Sequence, residues 1–410
     1  MPTLHGPFTQ LLPLSHLPLR EALTDDQLTV IPDAGILTEN GEVVSIGSFE
    51  ELYKSSHNGN TTINEVEGSS VALPGFIDCH THLCFGGSRA QDYAARNAGK
   101  TYQQIGAAGG GIKDTMRKTR AATCLQLRQG LTARLDRHLR NGVTTVEVKS
   151  GYGLSIDQEL RLLRAIKTAG DAHAADVVPT CLAAHIIPPE AKDERDWLQT
   201  ILEGIVPVIQ SDWLTYRFDI FVEEGTFTPV NSRPFLEELK SHGFDLTVHG
   251  DQFTTGGSQL AIDVCARSVD HLEASGPAES TALGKSNTVA VALPGASLGL
   301  GCAFTPARRL LDADACLAIA SDWNPGSAPM GDLLTQAAVL GTFEKLTTAE
   351  VLAGLTSRAA AALDLTDRGR LATGQKADFI CFSTEDYREI LYHQGQLKPK
   401  GVWKDGLRIT

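Results

Sequence analysis

Apolar positions along this chain follow two periods, and where one gives way to the other marks its organisation. Up to about residue 70 they come in short runs broken by turn residues. Gly35-Ile36-Leu37 and Val43-Val44-Ser45-Ile46 flank Asn40-Gly41, which predicts a hairpin whose glycine accepts positive φ. Further on, Leu127, Leu131, Leu135 and Leu139 recur every four residues and stripe one helix face. Asn141-Gly142 stops that helix, and the β-branched run Val143-Thr144-Thr145-Val146-Glu147-Val148 follows as a strand. Ser155, with Gln158 three residues on, predicts a capping box opening the next helix. Strands are also predicted over 176–183, 217–222, 245–248, 268–270, 287–292 and 316–320. With the apolar run 71–77 leading to His80, that makes eight. Near the C-terminus the short-run character returns, with a strand in Ala377-Asp378-Phe379-Ile380-Cys381-Phe382 and a turn at Asp405-Gly406.

Eight strands with intervening helices predict an α/β fold, a (β/α)8 TIM-like barrel over residues 74–367. The two β-rich ends, 1–73 and 368–410, predict one small β-sandwich domain built from both termini. A doubly wound open sheet is the alternative, but it leaves unexplained where the polar residues fall.

Composition narrows the function classes. A chain of 410 residues, 42% apolar and 21% charged, has ample core material for one barrel and a smaller module. Its formal charge of −13 argues against nucleic acid and anionic membrane surfaces as partners. No run reaches the roughly 20 apolar residues of a membrane span, since 288–304 is broken by Pro294 and glycines. Neither is there a basic segment and apolar stretch of the secretory kind. The eight cysteines form no Cys-x-x-Cys pair, which fits free thiols in a reducing cytoplasm. Cys79 and Cys84 flank a histidine pair, but strand alternation turns Cys79 to the opposite face, so both read as packing residues.

That pair lies in Asp78-Cys79-His80-Thr81-His82, where residues two apart share a face. Other polar residues also fall at predicted strand ends: His185 after the third, Glu223-Glu224 after the fourth, His249 after the fifth, His271 after the sixth and Asp322 after the eighth. A single histidine at such a place is most often satisfied by hydrogen bonds. Together, in a barrel, they converge on one mouth. Three histidines and an aspartate suit Zn²⁺ or Fe²⁺, which lowers the pKa of bound water from about 15.7 towards ~7.

The order of these residues resembles the amidohydrolase superfamily, and within it the imidazolonepropionase family. The segments that carry the resemblance are Asp78–Leu83 with Phe85-Gly86-Gly87-Ser88-Arg89, Thr101-Tyr102, Ala108-Gly109-Gly110-Gly111-Ile112, Glu147-Val148-Lys149-Ser150-Gly151-Tyr152-Gly153, Ala184-His185 with Pro188-Pro189-Glu190, Asp270-His271-Leu272 and Ser321-Asp322-Trp323-Asn324-Pro325-Gly326-Ser327. The resemblance implies one Zn²⁺ or Fe ion per subunit on His80, His82, His249 and Asp322. It implies a substrate pocket of Arg89, Tyr152, His185, Gln252, Asn324, Gly326 and Ser327, with Tyr102 a weaker candidate. The implied substrate is 4-imidazolone-5-propanoate, opened to N-formimidoyl-L-glutamate in histidine degradation, and the implied assembly is a cytoplasmic homodimer. Arg89 can hold the propanoate arm with two parallel hydrogen bonds.

Some relatives have a proton-shuttling glutamate where this chain has Gln252, and an amide has no titratable proton near pH 7. Proton handling is therefore expected of His271 and Asp322, with His185 or His271 stabilising the oxyanion. Many amidohydrolases bridge two metals with a carboxylated lysine on the fourth strand. Lys149 lies on the second, so one metal is expected. The alternatives are a deaminase or cyclic amidase for another small heterocycle, and a catalytically silent scaffold on an enzyme fold.

Overall fold

Sixteen strands divide between two eight-stranded sheets in the computed structural model, which describes residues 1–56 and 61–410 apart from the side chains of Ser56, Tyr102 and Gln103. The first sheet contains β1 (Thr3–Leu11), β2 (Ile31–Glu39), β3 (Glu42–Ser48), β4 (Thr62–Glu65) and β5 (Val71–Pro74). The barrel follows as β6 (Phe76–Asp78), β7 (Val143–Lys149), β8 (Asp176–Ala184), β9 (Arg217–Val222), β10 (Asp245–Gly250), β11 (Ser268–His271), β12 (Val289–Ala292) and β13 (Leu317–Ile319). The chain then returns to the first sheet as β14 (Phe379–Phe382), β15 (Pro399–Lys404) and β16 (Leu407–Arg408).

The first sheet runs β16-β15-β14-β5-β1-β2-β3, with β4 beside β1. Val43 of β3 and Trp403 of β15 lie near opposite ends of that path, yet share one buried cluster with Phe8, Ile36 and Phe379. The sheet thus folds over its own apolar face, so both chain ends close one core. Asn40 at φ 51° and Gly41 at φ 85° form the expected tight turn, and Asp405 and Gly406 repeat it at φ 50° and 75°.

The apolar run 71–77, read from sequence as one strand, is two. It breaks at Gly75, leaving β5 in the first sheet and β6 in the barrel. A Cβ at Gly75 would lie 2.3 Å from Thr144 Oγ1, so only glycine permits this crossing. The barrel strands are parallel and ordered as in the chain. β13 meets β6 beyond the regular strands, where the Asp322 N–H donates to the His80 carbonyl and the His82 N–H to the Trp323 carbonyl, both at 3.0 Å. The seam of the barrel is therefore made by the segments that bear His80, His82 and Asp322.

Helices cover the outside. Cys124–Arg140 buries Leu127, Leu131, Leu135 and Leu139, opens on a Thr123/Gln126 capping box and ends at Asn141-Gly142 as expected. The Ser155 capping box does not form. Ser155 precedes the helix Ile156–Asp171 without a side-chain cap, while Glu159 accepts the N–H groups of Gly151, Gly153 and Leu154 just before it.

Candidate metal centre and active site

His80 and His82 lie just past β6, with Thr81 between them tied to β7. The Thr81 N–H donates to Glu147 Oε2 at 3.1 Å and its hydroxyl to the Glu147 carbonyl. This anchorage turns both imidazoles inward, where they meet His249 of β10. The Nε2 atoms of His80 and His82 are 3.3 Å apart, as are those of His82 and His249. Asp322 Oδ1 lies 3.5 Å from His80 Nε2 and 3.3 Å from His82 Nε2. Ligands at about 2.0–2.1 Å from a tetrahedral Zn²⁺ stand about 3.3 Å from one another, and His80, His82 and His249 form a cluster that could hold such an ion, with Asp322 beside His80 and His82. All four side chains are buried. Cys79 points away into the cluster of Ile77, Val178 and Val291, and Cys84 lies in the main core.

Outer contacts orient these ligands. His80 Nδ1 lies 2.6 Å from Asp270 Oδ2, and His249 Nδ1 lies 2.8 Å from Asp219 Oδ2, which turns both Nε2 atoms toward the centre. Burial and the nearby Lys149 disfavour a charged His80, but Asp270 outweighs them and draws it up to about 9. Burial drives His249 well below the ordinary histidine value, and lowers His82 too. Burial would raise Asp322, yet hydrogen bonds from His80 and His82 hold it far below the usual carboxylate range. Asp322 at φ 50° and His271 at φ 91° occupy the left-handed region, a backbone strain that collects at functional sites.

A cavity of about 500 Å³ opens over this centre, lined by His82, Arg89, Tyr152, His185, Gln252 and Ser327 among others. His271, Asp322, Asn324 and Gly326 also line it, so every expected substrate-contacting residue faces one space. The Tyr102 side chain lies outside the described residues. His185 packs near-parallel to His82, with ring centroids 5.3 Å apart. Its Nδ1 lies 3.0 Å from the Gly151 carbonyl, which only accepts, so Nδ1 carries the proton and Nε2 is an acceptor. Burial lowers His185 to about 3. His271 Nδ1 lies 3.4 Å from Glu273 Oε2.

The Arg89 Nε donates to Asp92 Oδ2 at 2.8 Å, which fixes the guanidinium plane. A Cβ on Gly326 would come within 2.3 Å of Arg89 Nη1, so the glycine makes room for that arginine. Asn324 lines the cavity, but its amide is engaged within its own loop. It donates to the Asp322 carbonyl and Ser327 Oγ at 2.7 and 2.9 Å, and accepts from the Gly326 and Ser327 N–H groups at 2.7 and 2.8 Å. The Ser327 hydroxyl donates to Asp322 Oδ2 at 3.3 Å.

The supporting role of several buried charged groups is visible only in the structure. Buried Glu159 accepts the N–H groups of Gly151, Gly153 and Leu154 at 2.6–2.9 Å and so shapes the loop bearing Tyr152. The signal was a glycine-rich loop whose N–H groups need an acceptor. Glu223 accepts the N–H groups of Phe253 and Thr254 at 2.8 and 3.2 Å, holding the segment that presents Gln252, while Glu224 is exposed. Lys149 Nζ lies 2.7 Å from Glu147 Oε1 and 2.8 Å from Asp219 Oδ2. A carboxylated lysine, itself an anion, does not suit that place.

A family model described as "Amidohydrolase family" matches residues 106–407. The chain is 41% identical over 383 residues to an imidazolonepropionase of Rubrobacter xylanophilus, covering 93% of this chain and 92% of that protein. It is 38% identical over 408 residues to one of Deinococcus radiodurans, covering 99% of each. Among solved structures it is similar to an atrazine chlorohydrolase of Arthrobacter aurescens complexed with zinc, at TM-score 0.68 and 15% identity over 100% of this chain and 95% of that one. An adenosine deaminase of Xanthomonas campestris with bound zinc follows at TM-score 0.67 and 17% identity, covering 99% and 92%. At such identities the structural likeness concerns the fold.

Proposed function

The chain belongs to the imidazolonepropionase family of amidohydrolases, and from that membership we propose how its cavity performs the family's reaction. The enzyme is a metal-dependent hydrolase that opens the ring amide of 4-imidazolone-5-propanoate to N-formimidoyl-L-glutamate in histidine degradation. The observation that carries the site assignment is the cluster of His80, His82 and His249, with Asp322 at 3.3–3.5 Å from His80 and His82, on the wall of a cavity that Arg89 also lines. These four residues would hold one zinc or iron ion per subunit, which when bound supplies a water ionised near neutral pH and a Lewis acid for the ring carbonyl.

Arg89 binds the propanoate through its Nη groups, with its Nε already fixed by Asp92, so little orientational freedom is lost on binding. Tyr152 and Gln252 read the polar edges of the ring. His185 is neutral with Nδ1–H committed to Gly151, so its Nε2 accepts a ring N–H rather than stabilising an oxyanion. The developing oxyanion is left to His271, steadied by Glu273. Asp322, its Oδ2 held by Ser327, takes the proton of the attacking water and returns it to the ring nitrogen as the C–N bond breaks. The water oxygen stays on the carbonyl carbon, which becomes a carboxylate. Asn324 contributes by holding Gly326 and Ser327 in place.

Membership of this family also supports a cytoplasmic homodimer, which light scattering on the purified protein would read. The test of the reaction is to generate the unstable substrate in situ from urocanate and follow its absorbance. Accelerated loss with formation of N-formimidoyl-L-glutamate is expected. No acceleration by metal-loaded protein would refute the reading.

A further inference from the structure

Beneath the four ligands lies a single buried ammonium, Lys149, 1% exposed. It touches three carboxylates from three barrel strands: Glu147 Oε1 at 2.7 Å, Asp219 Oδ2 at 2.8 Å and Asp270 Oδ2 at 3.9 Å. Each leads to a ligand-bearing segment. Glu147 holds Thr81, which sits between His80 and His82. Asp219 faces His249 Nδ1 and also accepts the His249 N–H at 3.2 Å. Asp270 faces His80 Nδ1 and accepts from the Thr247 hydroxyl at 3.2 Å.

We infer that Lys149 is a positioning residue for the metal centre, one cation that gathers the three carboxylates through which His80, His82 and His249 are aimed. The reason is electrostatic and steric together. Three carboxylates packed this closely repel unless a cation sits among them. Lys149 has the reach to touch all of them from β7 while staying clear of the cavity, which it does not line. Without it the carboxylates move apart, and the imidazoles they hold lose the 3.3 Å spacing that suits one ion. This inference rests on the metal-site reading above.

The experiment removes metal with a chelator, then measures Zn²⁺ affinity by competition and the visible spectrum with Co²⁺. For Lys149→Met a Kd weaker by about 10–100-fold and an altered Co²⁺ band are expected. Lys404→Met is the control. That lysine is 3% exposed among three other carboxylates, so its variant should lose comparable thermal stability with the Zn²⁺ Kd unchanged. A folded Lys149→Met protein with wild-type Kd and Co²⁺ spectrum would overturn the inference. If Lys149→Met does not fold, Glu147→Gln removes one of the three charges around Lys149 and disturbs the Thr81 N–H contact. A weaker Kd with a changed spectrum there supports the network, and no change in either overturns it. Wild-type protein binding neither metal would instead defeat the metal-site reading itself.

Discussion

Two buried lysines in this molecule stand among carboxylates, and they differ in what lies beyond. Lys404, at the junction of the first sheet with β8, meets Asp176, Asp378 and Asp405 at 3.1–3.2 Å. There the carboxylates have further cations: Lys376 and Arg368 both reach Asp176, and Lys376 also reaches Asp405. Lys149 is alone among Glu147, Asp219 and Asp270, with Asp322 a fourth carboxylate just above. Burial works against either lysine's charge, and in both places the carboxylates outweigh it. The first cluster is nearly balanced by its own residues and acts as a clamp between two sheets. The second carries an excess of negative charge that a divalent cation suits. Charge balance thus separates the two clusters, a distinction that burial alone does not make.

Removing a ligand tests the second cluster most severely. His249→Ala is expected to lower kcat/KM by about 10³-fold or more, with metal content falling in elemental analysis, because several kcal/mol of transition-state stabilisation depend on the ion. Retained metal and activity would break the contrast. Arg89→Ala is expected to raise KM by about 30–100-fold with a smaller effect on kcat, as a charged hydrogen-bonded pair contributes roughly 2–3 kcal/mol. His271→Ala should show the opposite split, kcat falling about 10²-fold. Steady-state kinetics on both variants would expose a reversed assignment. Glu159→Gln sets an amide NH₂ against loop N–H groups, so a roughly tenfold loss in kcat/KM is expected, with metal content unchanged.

The smallest effect belongs to the balanced cluster. Asp176→Asn should lower the melting temperature by a few degrees while kcat/KM stays within about twofold. Burial would raise the Asp176 carboxyl, but Lys404, Arg368 and Lys376 hold it below the usual value. Its contribution is therefore full above the ordinary carboxylate pKa near ~4 and lost as pH falls towards the lowered one. The difference in melting temperature between wild type and variant should close below about pH 4.

Much of this arrangement was legible from local signals. The leucine stripe, the Asn40-Gly41 and Asp405-Gly406 turns, and the placement of His80 and Asp322 just past strands and of His249 near the end of one depend on neighbours a few residues away. What misled was equally local. An unbroken apolar run concealed the change of sheet at Gly75, where the demand comes from Thr144. Ser155 and Gln158 fitted a cap, but Glu159 served the loop instead.

The sequence by itself determined the eight barrel strands, the side-chain types and their order along the chain, because periodicity and turn chemistry are short-range. Only the tertiary structure decided that Lys149 lies beneath His80 and His249, that Glu159 shapes the Tyr152 loop, and that Asp322 and His80 close the barrel seam. Those relations join residues on different strands, and a buried charge acquires its meaning from whichever charges the fold sets within a few ångströms of it.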